Sequence, residues 1–178
     1  MTNKKIFILL TRFPDAGSRA IEFITGFHYT HASIGLEEDM NTFYSFVCKG
    51  FIVEKITRYV RPDREPYPCQ LYELDVSEKV YNSIKNLLIS YTEHQCDFRY
   101  TRLGVALSLL HIPYKRENAY FCSHFVADVL KQGNAVDLNK DSAKYLPGDL
   151  RMLPGLKLNF HGNMRSMLQH FGILPCPA

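Results

Sequence analysis

The hydrophobic pattern opens with an unbroken apolar run. Residues 6–11 read Ile-Phe-Ile-Leu-Leu-Thr, and a stretch with almost no polar position predicts a central strand. Phe13-Pro14-Asp15-Ala16-Gly17 is a turn, because Pro and Gly punctuate regular structure. Ser18 is placed to cap a short helix over 19–25 that Gly26 ends. Over 29–36 the period changes to two. His31, Ser33 and Gly35 fall on one strand face, and Ala32, Ile34 and Leu36 fall on the other. An acidic turn, Glu37-Glu38-Asp39, separates this segment from Thr42-Phe43-Tyr44-Ser45-Phe46-Val47. The two strands therefore predict a hairpin. Residues 48–68 carry Pro62, Pro66 and Pro68 and no sustained period. They read as a surface excursion with a short strand near 53–56.

A less clean alternation predicts another strand over 70–76. Ser77 is a good N-cap and Glu78 suits a first turn, so a helix runs from there to about Glu93. Its apolar stripe is Val80, Ile84, Leu87, Leu88 and Tyr91. A second helical segment covers 100–110 and stops before Pro113. After a polar loop comes Tyr120-Phe121-Cys122-Ser123-His124-Phe125-Val126, with Phe125, Val126, Val129 and Leu130 at helical spacing. This predicts a helix from Cys122 to near Gly133. A strand over 156–160 and a helix over 163–171 follow. Without repeats, a composition shift or a βαβ rhythm, the chain reads as a single α+β domain over 1–178, with a small antiparallel sheet packed against helices.

Composition changes this picture little. At 178 residues, 46% apolar and 22% charged, the chain can bury a proper core. The net charge is +3, and Lys55, Arg58, Arg61 and Arg64 are spread as in a solvated edge, so no nucleic-acid partner is expected. The apolar run at 6–10 is too short for a signal-peptide core or a membrane span, and no stable membrane insertion is expected. The five cysteines, at 48, 69, 96, 122 and 176, show neither a C-x-x-C pair nor zinc-ligand spacing. Reduced thiols in a cytoplasmic setting are expected, with no metal and no organic cofactor.

One cysteine stands where chemistry is favoured. Cys122 falls in the first turn of its helix, where unpaired N–H groups and the helix dipole favour a thiolate. It could equally be a buried core cysteine. A nucleophile needs a base, and the base needs an orienting group. His124 lies two residues along the helix and cannot face Cys122. That also weakens a metal site built from His31, Cys122 and His124. His31, at the start of a strand, is the best base. Ser45 on the neighbouring strand could orient its ring, although a carboxylate or amide is the more usual choice; Ser45 could also be only a small residue facing a groove. Tyr29 could offer its hydroxyl to an oxyanion, or simply pack.

The ordered pair Tyr29-Thr30-His31-Ala32-Ser33-Ile34 and Phe121-Cys122-Ser123-His124-Phe125-Val126 resembles the motifs of circularly permuted papain-fold proteins, the NlpC-like cysteine peptidases and amidases and the lecithin:retinol acyltransferase-like group. In that superfamily a strand-borne histidine comes first, a polar residue follows on the next strand, and the cysteine comes late at a helix start. The resemblance covers about residues 6–130. It implies a permuted papain-like (NlpC-like) fold, with Cys122 as nucleophile, His31 as base and a third position at or near Ser45, where many relatives carry His or Glu. Phe121 stands where the acyltransferase group has Asn, which favours the NlpC-like branch. The implied activity is a cysteine-dependent hydrolase, an amidase or peptidase acting on an amide or ester carbonyl through a thioester. The substrate would be a small molecule, a peptide or an acyl-amide. A thiol acyltransferase, or a non-catalytic binding module on the same fold, remains the alternative.

Overall fold

Lys4–Thr11 forms β1, and from Ile6 onward every residue in it is buried. The computed structural model describes residues 3–175, and of residues 16, 17 and 20 the backbone alone. The elements that follow are α1 (Ala16–Thr25), β2 (His31–Leu36), β3 (Thr42–Val47), β4 (Gly50–Lys55), a 3-10 turn at Ile56–Tyr59, and β5 (Pro68–Val76). Then come α2 (Glu78–Glu93), β6 (Arg99–Tyr100), α3 (Arg102–Leu109), β7 (Ala119–Tyr120), α4 (Cys122–Gln132), α5 (Pro147–Leu150), β8 (Leu156–Asn163) and α6 (Met164–His170). The fold is α+β. A six-stranded sheet has the order β4-β3-β2-β1-β5-β8, and every pair in it is antiparallel.

Central placement explains the apolar run of β1, because both sheet faces are covered. On one face Ile6, Ile8, Leu10, Ala32 and Ile34 pack with α2 and α4 through Tyr81, Ile84, Phe125 and Val129. On the other, Phe7, Leu9, Phe43 and Leu71 pack with Ile56, Met164 and Met167. Burying one such aliphatic or aromatic side chain contributes about 1.5–3 kcal/mol, so β1, feeding both layers, anchors the sheet.

Local signals set several boundaries. The Ser77 hydroxyl accepts from the Val80 N–H at the start of α2. Asn163 does the same for Ser166 at the start of α6. At α1 the cap is Asp15, not Ser18. The Asp15 carboxylate accepts from the Ser18 N–H at 3.0 Å and from its hydroxyl at 2.6 Å, so the helix starts earlier than the sequence suggested. Tyr100 leaves the expected helix at 100–110 and enters β6. The largest difference lies in 48–68, where β4 pairs along its whole length with β3 and becomes an edge strand of the main sheet. The short strands β6 and β7 form a separate parallel pair that sets Tyr100 beside Tyr120. Among the described residues, no helix is long and apolar enough to cross a membrane. Cys48, Cys69, Cys96 and Cys122 are free thiols; Cys176 lies outside the described residues.

Candidate active site

α4 begins at Cys122 because Phe121 stays extended, at φ −121° and ψ 168°. The helix is held down by Phe125, Val126, Val129 and Leu130, all fully buried. Its first turn is fixed by Ser123, whose hydroxyl donates to the Tyr145 carbonyl at 2.7 Å. The Phe121 side chain at the N-cap position makes no capping hydrogen bond. The Cys122 sulfur accepts hydrogen bonds from the backbone N–H groups of Ser123 and Ala32, and so lies between the helix start and β2.

His31 is the first residue of β2 and pairs with Thr11, the last of β1. It therefore sits at the end of the sheet, where α4 begins. Its Nε2 lies 2.8 Å from Glu54 Oε1. The same ring also hydrogen-bonds Cys122. Glu54 is on β4, with β3 between it and β2, and its carboxylate reaches across that strand. Glu54 and His31 are both buried. The Phe13 ring packs 5.2 Å from the His31 ring and 5.4 Å from that of Tyr59, and keeps water from the pair.

Electrostatics follow from this arrangement. Burial disfavours a charged imidazole. The Glu54 charge and the hydrogen bonds to Cys122 and Glu54 outweigh it and raise His31 from 6.5 to about 10. Burial also opposes a thiolate at Cys122. The hydrogen bond and charge of His31, helped by the Ala32 and Ser123 N–H groups, reverse that and hold the thiol below its usual 9.0. Both shifts favour the thiolate–imidazolium pair over the neutral one. The Tyr59 phenol is pushed up by burial, by the Glu54 charge and by the hydrogen bond it shares with Glu54. It thus stays protonated as a donor to the carboxylate.

Cys122 and His31 open on a cleft of about 370 Å³. Ile21 of α1, Val47 of β3, Val105 of α3, Tyr100 and Leu146 line it, giving mostly apolar walls. Burial, with the charge of Cys122 as a smaller cause, pushes the Tyr100 phenol up, so its hydroxyl is kept neutral on the cleft it shares with Cys122.

Of the residues singled out from sequence, Cys122 and His31 come together. Ser45 does not orient His31: its hydroxyl donates to the Ala32 carbonyl at 2.6 Å, and Glu54 holds the ring instead. Tyr29 precedes β2, so the strand's alternation does not extend to it. It lines a different cavity with Phe27, Gln70 and Arg151, and Tyr100 is the tyrosine that lines the Cys122 cleft. His124 packs its ring 4.8 Å from that of Tyr120 and 5.4 Å from that of Phe121. Its Nδ1 has no hydrogen-bond partner among the described residues. Burial lowers it from 6.5 to about 4, so it is a neutral core residue. Among the described residues no group of three His, Cys, Asp or Glu is placed to hold a metal ion. Glu54, Tyr59 and Tyr100 were missed in the sequence. The only available signal was chemical: a histidine base is most often oriented by a carboxylate.

No family model matches the chain, and no curated protein matches it either.

Proposed function

We propose that the chain is a cysteine-dependent hydrolase of the permuted papain-like, NlpC-like kind, acting on an amide or ester carbonyl. The observation that carries this reading is the continuous hydrogen-bonded line from Cys122 through the His31 ring to Glu54. It supplies a nucleophile, a base and an orienter in one buried row. The order of His31 before Cys122 along the chain, with antiparallel strands between them, agrees with the permuted arrangement.

In the reaction the Cys122 thiolate attacks the carbonyl carbon. The developing oxyanion is met by unpaired N–H groups at the start of α4, with the neutral Tyr100 hydroxyl on the same cleft. The His31 imidazolium gives its proton to the leaving nitrogen or oxygen as the carbon–heteroatom bond breaks, leaving a thioester on Cys122. Water then enters, His31 takes one of its protons, and attack on the thioester releases the acid and restores the thiolate. Glu54, through its contact with Nε2, orients the ring and stabilises its positive charge.

Acyl-enzyme trapping tests this directly. An activated ester such as a p-nitrophenyl acyl ester should add one acyl mass to the Cys122 peptide and release p-nitrophenol catalytically. Cys122→Ala should do neither, and His31→Ala should lose turnover. If no acyl adduct forms on Cys122 with esters, amides or thioesters, the enzyme reading fails and a binding module takes its place.

A further inference from the structure

The two helices that flank the Cys122 cleft leave apolar faces in solvent. On α3 and the residue after it, Leu103, Ala106, Leu107 and Leu110 recur at the spacing of one helix face. Leu103 is 53% and Leu110 67% exposed, and Ile112 just beyond is exposed too. The other helix, α1, carries Phe23 and Ile24, 91% and 61% exposed. Both helices also contribute to the cleft itself, through Ile21 and Val105. Isolated exposed apolar residues need no explanation, but an apolar face of this size beside a cavity mouth does.

The charge around these faces narrows the choice of occupant. Residues 98–116 contain Arg99, Arg102, Lys115 and Arg116 and neither Asp nor Glu, with the exposed Asp97 and Glu117 just outside the segment. Lys115 pairs with Asp141 at 3.0 Å, while the three arginines are exposed. Lys49, also exposed, stands on the cleft wall. Leucines on a helix face, with arginines beside them, match the composition of a helix lying on an anionic bilayer surface.

We infer that α3 and the 110–116 loop, with the tip of α1, dock peripherally on a membrane leaflet containing anionic lipid and bring the cleft mouth to that surface. Leu103, Leu110 and Ile112 enter the headgroup boundary, and Arg99, Arg102 and Arg116 meet phosphate groups. This contact does not depend on the chemistry of Cys122.

Vesicle co-sedimentation of the full chain tests it, with phosphatidylcholine vesicles compared against equimolar phosphatidylcholine and phosphatidylglycerol. The wild-type chain should pellet with the mixed vesicles and release as salt rises. The double variants Leu103→Gln/Leu110→Gln and Arg99→Glu/Arg102→Glu should each weaken binding by about tenfold or more. Both alter exposed positions and should keep the wild-type circular dichroism. Cys122→Ala should bind like wild type, which separates this inference from the proposed catalysis. The inference is overturned if the chain stays in the supernatant with both vesicle types, or if neither double variant changes binding. A lipid-independent dimer that Leu103→Gln/Leu110→Gln dissociates would assign the face to a second copy of the chain instead.

Discussion

Burial and hydrogen bonding pull the Cys122 thiol in opposite directions, and His31 decides the outcome. His31 in turn owes its high proton affinity to the Glu54 charge. Replacing Glu54 by Gln keeps the shape and one hydrogen bond but removes that charge. The His31 ring resonances, followed by NMR, should then titrate well below the wild-type value of about 10. Ser45 behaves differently. Its hydroxyl serves the Ala32 carbonyl, so Ser45→Ala should lower unfolding free energy by about 1 kcal/mol and leave the His31 titration where it was. If the two variants exchanged these effects, the assignment of Glu54 as orienter would be wrong.

The hairpin of β3 and β4 is the element that delivers Glu54. Its turn depends on Gly50, at φ +106°, where an added Cβ would meet the Phe98 carbonyl oxygen at 3.0 Å. Gly50→Ala should therefore cost more than about 1 kcal/mol in denaturant unfolding, and by shifting the strand it should also lower the His31 titration. This hairpin marks the boundary of what the sequence could reveal. The alternation of 31–36, the cap at Ser77 and the helical spacing after Cys122 are local signals, and each element formed where its signal lay. Gly50–Lys55 is short, carries Glu54 and Lys55, and leads into a proline-rich stretch, so it reads as surface. Only its pairing with β3, which sets Phe43 opposite Glu54, turns that carboxylate inward. Tyr100 was hidden for a similar reason. Its place on the wall of the Cys122 cleft goes with the parallel β6–β7 pairing, which helical spacing over 100–110 does not signal.

Across the whole molecule, two buried histidines give stability opposite dependences on pH. His31 is raised in the folded state, so its contribution is fully present below 6.5 and falls away as pH rises towards about 10. His124 is depressed. The unfolded chain binds its proton first, and stability falls as pH drops from 6.5 towards about 4. Thermal unfolding should show both limbs. Cys122→Ala removes the thiol, whose lowered value acts in the opposite sense to His31 as pH rises. In that background the alkaline limb should remain, and Glu54→Gln should flatten it. His124→Phe should flatten the acid limb alone. Alternation and apolar runs made the α+β layering legible. The six-strand order was not, because β8, last along the chain, pairs with β5 across a long sequence separation.

The central claim is that His31 holds the Cys122 thiol below its ordinary value and so favours the thiolate. The pH dependence of iodoacetamide alkylation at Cys122, which is buried but lines the cleft, tests it most directly, resolved by peptide mass spectrometry because the exposed Cys48 and Cys96 alkylate too. The wild-type rate should reach its plateau well below 9.0, the ordinary thiol value, and His31→Ala should move the midpoint up to 9.0 or beyond. A wild-type midpoint at or above 9.0, or one that His31→Ala leaves unchanged, would contradict it.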